Sequence, residues 1–399
     1  MKNTLDLLLK TILNSDIPTE DLSGEPLKAL DSLSISLKEQ FSQIFQNLSG
    51  YLSSDVTVKF LTDQFKKMAE EAYAIDSAVY ELHNATAETA KKYEDYLSSV
   101  FDSAYSLGTS ASDLIRQATE WTRLGFSLDE ATKLSEASSL YSGLTKVDSH
   151  NAIYTISEAL KAFNLEVSDS IPLVDSLIGL GKQFDTDSAY LGETLKNTAS
   201  FMSEAGNDIH QTLAMLAGSS IAPQDTGEFV DMLNTARSQL QEMKNEPLNL
   251  WNDNGSYESI YEQLEAISRI YSELNRSDRA NLSESLFASH ADSGNALLQA
   301  FESGQIQEVY EASLNSVGTA VKEQEYQMDS LEAKAGQLTA AFQSLSNTFL
   351  NSGFLKGIID AGTQGIKILD DLTTALTPLG TAGLGTGLLG IQKFIANFA

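Results

Sequence analysis

Residues Val58 to Val100 read VKFLTDQFKKMAEEAYAIDSAVYELHNATAETAKKYEDYLSSV, and their spacing decides the fold class. Val58, Leu61, Phe65, Met68, Ala72, Ile75, Val79, Leu82, Thr86, Thr89, Tyr93, Tyr96 and Val100 step by alternating threes and fours, and 11 of these 13 positions are apolar. That alternation keeps one narrow stripe facing one partner, so the spacing predicts a long helix over 58–108 in a coiled coil or an elongated bundle. At ~1.5 Å per residue, Val58 to Leu107 reaches about 75 Å. A second stretch repeats the pattern. Val321, Gln324, Met328, Leu331, Ala335, Leu338, Phe342, Leu345 and Phe349 include 8 apolar positions of 9 and predict another such helix over 319–352.

Ala72, Thr86, Thr89, Gln324 and Ala335 weaken the two seams, so both packings stay open: seam against seam within one chain, or copy against copy. For the second, the candidate self-association residues are Val58, Leu61, Phe65, Met68, Ile75, Val79, Leu82, Val321, Met328, Leu331, Leu338, Phe342 and Leu345.

Between the seams the punctuation is helical. Ser110 with Asp113 and Ser127 with Glu130 have the spacing in which a hydroxyl caps an orphan amide and the acid reaches back. Gly108, Gly125, Gly143, Gly181, Gly206 and Gly304 follow apolar-periodic segments, as left-handed terminating glycines do. Strand signals are confined to the fragment Val56 to Val58. The expectation is an elongated all-α protein. Amphipathic N-terminal helices occupy 1–57, a helical array fills 109–318 between the two heptad helices, and a tail over 353–399 runs from amphipathic to apolar and glycine-rich.

Both ends carry apolar signals. At the start, Leu5, Leu8, Leu9, Ile12 and Leu13 share one helical face, while Asp6 and the lack of a cleavage site exclude a secretory leader. The N-terminus is read as cytoplasmically made. At the other end, Leu372 to Gln392 holds no charged residue, yet Pro378 and five glycines oppose a helix there. Leu384, Leu388, Leu389, Ile391 and Phe394 are the residues that could touch a host membrane, and a pore or channel formed by this segment is the alternative function.

The balance of 26 basic against 55 acidic residues gives a net charge of -29, which argues against direct nucleic-acid binding through phosphate neutralisation. With no cysteine there is no disulfide frame, thiolate zinc site or thiol nucleophile. His83, His150, His210 and His290 stand too far apart in sequence for the usual paired-imidazole metal motif. Gly385, Gly387 and Gly390 spell a dinucleotide fingerprint without the strand it needs, and Gly181-Lys182 fails as a phosphate loop because Gln183 follows. Glu70-Glu71, Asp129-Glu130 and Asp370-Asp371 read as solvated helix faces and first-turn acids, and Trp121 and Trp251 as core or loop anchors. No catalytic, cofactor or metal residue is expected.

The run from Ile75 to Asp148 resembles the core of tail tape-measure proteins of long-tailed bacteriophages, above all at Arg123-Leu124-Gly125-Phe126-Ser127-Leu128-Asp129-Glu130-Ala131. The likeness continues through LKAFNLEVSDSIPLVDSLIGLGKQF (Leu160 to Phe184), LGETLKNTASFMSEAGNDIHQTLAMLAG (Leu191 to Gly218), LFASHADSGNALLQAF (Leu286 to Phe301) and the segment from Val321 to Leu376. The resemblance implies a non-enzymatic scaffold, assembled in the bacterial cytoplasm, that lies in the lumen of the virion tail tube. There it sets tail length, leaves before DNA passes, and helps the genome across the host envelope. The implied partners are further copies of itself, the tail tube protein, the distal tail-tip protein and tail assembly chaperones. Members of that family are usually far longer, so 399 residues suit a cut-down ruler or a piece of one.

Overall fold

The computed structural model describes residues 74–86, 88–219, 226–242, 259–330 and the single positions Ala333, Gly336, Gln337, Ala340 and Gln343. Among them there is no strand. A helical stretch over 74–85 precedes α1 (Ala90–Leu107), α2 (Ala111–Arg123), α3 (Leu128–Thr145), α4 (Ser149–Ala162), α5 (Ser170–Gln183), α6 (Ser188–Glu204) and α7 (Ile209–Gly218). Then come α8 (Thr226–Glu242), α9 (Ile260–Glu273), α10 (Arg276–Phe287), α11 (Ala291–Glu302), α12 (Gln305–Leu314) and α13 (Thr319–Gln327). The all-α expectation holds.

The first long helix is not continuous. Its helical stretch ends at 85, and α1 restarts at Ala90 under a cap from Thr89, whose side chain accepts the Lys92 N–H. Thr86 turns its hydroxyl back onto the Leu82 carbonyl at 2.9 Å and contacts the Tyr93 hydroxyl, which donates to the Thr86 carbonyl at 3.2 Å. The two seam positions that are not apolar are therefore the two that interrupt the rod. A threonine hydroxyl offers the backbone a local partner in place of the next helical turn, and the periodicity survives the break because the following helix resumes in phase.

The second seam is interrupted as well. Helix α13 stops at Gln327, and a turn closes with N–H donation from Asp329 to the Tyr326 carbonyl and from Ser330 to the Gln327 carbonyl at 2.8 Å. The Ser330 hydroxyl then accepts from the Ala333 N–H, three residues on, in the manner of an N-cap. The helix predicted over 319–352 is thus interrupted after Gln327, and of the residues beyond the turn the structure describes Ala333, Gly336, Gln337, Ala340 and Gln343, all helical.

Three joints share one construction. Gly108, Gly125 and Gly206 take positive φ, and the next residue donates five positions back: Thr109 to Ala104, Phe126 to Trp121, Asn207 to Met202. Gly143 and Gly181 do not end helices. Lys146 and Asp185 hold the left-handed positions instead, and Gly181 lies inside α5, where a Cβ would run into Ser188 and Thr186.

The chain forms two compact units. One, drawn from the chain up to Thr132 and from Tyr326 onward, packs α1 on α2 and buries Trp121 edge-on to Phe126 at 5.4 Å. A Cβ on Gly336 would collide with the Gly108 carbonyl, so the two backbones cross there without side chains between them. The buried Gln343 amide accepts from the Ala111 N–H at 2.6 Å and supplies a partner that the start of α2 lacks.

The other unit, Lys133–Glu325, is arranged around α7, which packs against α5, α6, α9 and α12. Eight of the ten α7 residues are buried, and only His210 and Gln211 in its first turn are half-buried. Gly218 lets α12 close in: a Cβ there would lie 2.8 Å from Ile306 Cδ1 and 3.3 Å from Ile306 Cα. In the second half of this unit, Arg279 ties three helices together. It grips Glu302 with both terminal nitrogens at 2.9 and 3.0 Å, donates to the carbonyls of Ser272 and Leu274, and lies 4.6 Å over the Tyr271 ring.

Replacing Gly218→Leu is expected to lower stability by about 1–3 kcal/mol through overpacking, seen as a lower urea midpoint with an unchanged slope. A variant as stable as the parent would show that α7 and α12 do not approach this closely.

Candidate functional site

Of the candidate self-association residues, the structure describes Ile75, Val79, Leu82, Val321 and Met328. Ile75 and Leu82 are 1% and 0% exposed within the single chain, and Val79 is half-buried. Val321 is 46% exposed on α13, and half-buried Met328 brings its sulfur within 3.1 Å of where a Gly108 Cβ would sit. Val58, Leu61, Phe65, Met68, Leu331, Leu338, Phe342 and Leu345 lie outside the described residues, as do the membrane candidates Leu384, Leu388, Leu389, Ile391 and Phe394. Further along the first seam Tyr93, Tyr96 and Val100 are buried as well.

Each histidine meets a different partner. His83 stacks on Tyr93 at 5.1 Å, His150 tilts against Tyr154 at 4.6 Å, and His290 lies 3.9 Å from Glu228, which also accepts from Ser293 at 2.7 Å. Among the described residues no group of three or more His, Asp or Glu side chains could hold a metal ion. Of the acid pairs, Glu130 caps: its carboxylate takes both the N–H and the hydroxyl of Ser127, at 2.8 and 2.7 Å. Asp113 turns instead to Arg116 at 3.2 Å. A cleft of about 370 Å³ is lined by Asp185, Thr186, Asp187, Tyr190, Ala217, Ser219 and Gln305. Asp187 there already accepts from the N–H groups of Ala189 and Tyr190 as the cap of α6.

The densest buried polar constellation runs along α5. Asp175, 2% exposed, accepts from the Gly318 N–H at 2.7 Å and the Ala320 N–H at 2.8 Å. Beside it the Ser176 hydroxyl contacts the Pro172 and Ser313 carbonyls at 3.1 Å and the Ser316 hydroxyl at 2.9 Å. His210 joins from α7, its Nδ1 3.1 Å from Ser313 Oγ. Sequence reasoning placed no carboxylate in an apolar setting. The signal was present in Leu173-Val174-Asp175-Ser176-Leu177-Ile178, where an acid interrupts a run that has to be buried.

A serine beside a histidine suggests a nucleophile and its base, but Ser313 is built otherwise. It is buried, and its hydroxyl donates to the Tyr310 carbonyl in its own helix at 2.7 Å. A hydroxyl committed in that way and sealed from solvent has no approach for a substrate. The network closes polar groups against one another at the meeting of α5, α7, α12 and α13, and its chemistry is that of a fastening.

A family model described as phage-related minor tail protein matches residues 101–360, about two thirds of the chain. No solved structure matches. The matched span takes in the α5 constellation, the α7 core and every joint from Gly108 to Gly318.

Burial holds the His210 imidazole below its ordinary value, with the Asp208 carboxylate pulling the other way. The fold thus favours neutral His210. Its stabilisation is complete above the unfolded value of about 6.5 and is lost as the pH falls below that toward the folded value. His210→Gln should flatten the loss of stability between about pH 7 and 5 relative to the parent, as measured by urea unfolding. An identical slope in the two proteins would mean that His210 does not contribute it.

Proposed function

Because the chain belongs to the phage-related minor tail protein family, whose members are components of the virion tail, we propose that it is a tape-measure scaffold. It occupies the lumen of the tail tube during assembly in the bacterial cytoplasm, contributes to setting tail length, and leaves before DNA passes. The observation that carries this reading is an overlap. The segments resembling tape-measure cores, Arg123 to Ala131, Leu160 to Phe184, Leu191 to Gly218 and Leu286 to Phe301, are helix–joint–helix units falling inside the matched span.

The chain's charge fits this role. At a net charge of -29 the scaffold repels DNA that uses the same conduit. The tube protein, the distal tip protein, assembly chaperones and further copies of the chain are its proposed partners. The scaffold works by occupying space and requires no catalysis. No helix among the described residues is long and apolar enough to cross a membrane, and nothing there favours the pore reading over the scaffold.

In-frame removal of two heptads between Val58 and Ala85 tests whether that stretch measures length. Tails should shorten by about 1.5 Å for each residue removed, as measured by electron microscopy of populations of assembled tails. A deletion of equal size in α9, within the Lys133–Glu325 unit, should abolish tails rather than shorten them. Unchanged lengths in the first variant would remove the ruler role from this stretch.

A further inference from the structure

Helix α13 has little apolar hold on the Lys133–Glu325 unit. Of its nine residues only Ala320 is buried, and Val321 and the preceding Val317 are 46% and 75% exposed. Its attachment is polar and runs down one face of α5. Asp175, Gly179 and Lys182 recur there at the i, i+4, i+7 positions of a single stripe, with Ser176 alongside. Asp175 accepts the N–H groups of Gly318 and Ala320, at the mouth of α13. Gly318 is left-handed, with φ 79, and has no side-chain oxygen with which to cap the helix, so a neighbouring helix supplies the cap. Ser176 meets Ser316, and Lys182 is ion-paired with Glu323. Gly179 leaves room for the chain to lie down, since a Cβ there would come within 3.1 Å of Ser316 Cβ.

We infer that α13 is a strap on this unit, a helix that opens from α5 and recloses while the rest stays folded, with the Asp175 carboxylate as its catch. An element that buries one small side chain opens locally at far lower free energy than the core it lies on. When Asp175 lets go, Gly318 and Ala320 lose their acceptor and α13 loses its starting turn. The segment from Val317 to Glu325 then comes away from α5 without disturbing α7 or α12. Each α5 residue in the stripe has a separate part: Asp175 latches, Gly179 admits, and Lys182 steadies the far side.

Hydrogen–deuterium exchange on the full chain tests this. Amides of 319–327 should exchange well ahead of those in α5, α7 and α12. Asp175→Asn should accelerate 319–327 a further tenfold to hundredfold, roughly what losing a hydrogen bond to a carboxylate corresponds to, and leave α7 unchanged. Gly179→Leu serves as a second variant that removes no polar group. It wedges the strap off, and should speed the same window while the helical circular dichroism of the chain is kept. The strap is refuted if 319–327 is as protected as α7 in the parent. It is equally refuted if Asp175→Asn speeds α7 and α12 as much as α13, or if Gly179→Leu leaves protection of 319–327 unaltered.

Discussion

Helix α7 buries eight of its ten residues, and the Lys133–Glu325 unit is what surrounds it. Its entry is sealed by a reciprocal cap in which Asp208 takes the Gln211 N–H at 2.7 Å and Gln211 takes the Asp208 N–H at 3.1 Å. That pairing satisfies amides that have no acceptor inside the helix. Its exit has no side chain at Gly218, which admits α12. The partners α5 and α6 directly precede it, while α9 and α12 come from much further along the sequence. Burying one short helix therefore forces a long stretch of chain into a closed body, and the polar line on α5 closes the side that apolar packing leaves open.

Two kinds of contact divide the labour in this unit. Apolar contacts make the body, while polar contacts decide where its last helix is attached and how firmly. The phenol of Tyr141 shows the same economy. Burial pushes its titration far up, so it stays neutral, and its hydroxyl donates a hydrogen bond to the Ser188 carbonyl at 2.8 Å across Gly192, which has no side chain to obstruct it.

Much of this was legible from the residues alone. Periodicity and caps announce an all-helical protein, and Ser127 with Glu130 forms the predicted reciprocal cap. The breaks were not legible, because a 3–4 repeat records only which face each residue takes. Two helices in phase look like one. The marks of the joint were Thr86 and Thr89, polar residues in an apolar seam, and they were read as weakness of packing when they were ends and beginnings. Gly143 and Gly181 mislead in the opposite direction. Gly181 clears space for Thr186 and Ser188, and a glycine of that kind has the same letter as one that ends a helix, so only the tertiary contact separates them. Asp175 lies at the limit of what sequence can offer: its burial follows from its neighbours in the chain, but the amides it serves are at 318 and 320.

The distance along the chain between α7 and α12 also has a cost in time. A ribosome finishes Gly218 well before it reaches Gln305, and at about 5–20 residues per second the roughly ninety residues between them take on the order of 5–20 s to make. For that interval the nascent protein presents its most water-averse helix with one side uncovered. During each round of synthesis, misassociation is a hazard set by translation speed rather than by the stability of the finished molecule.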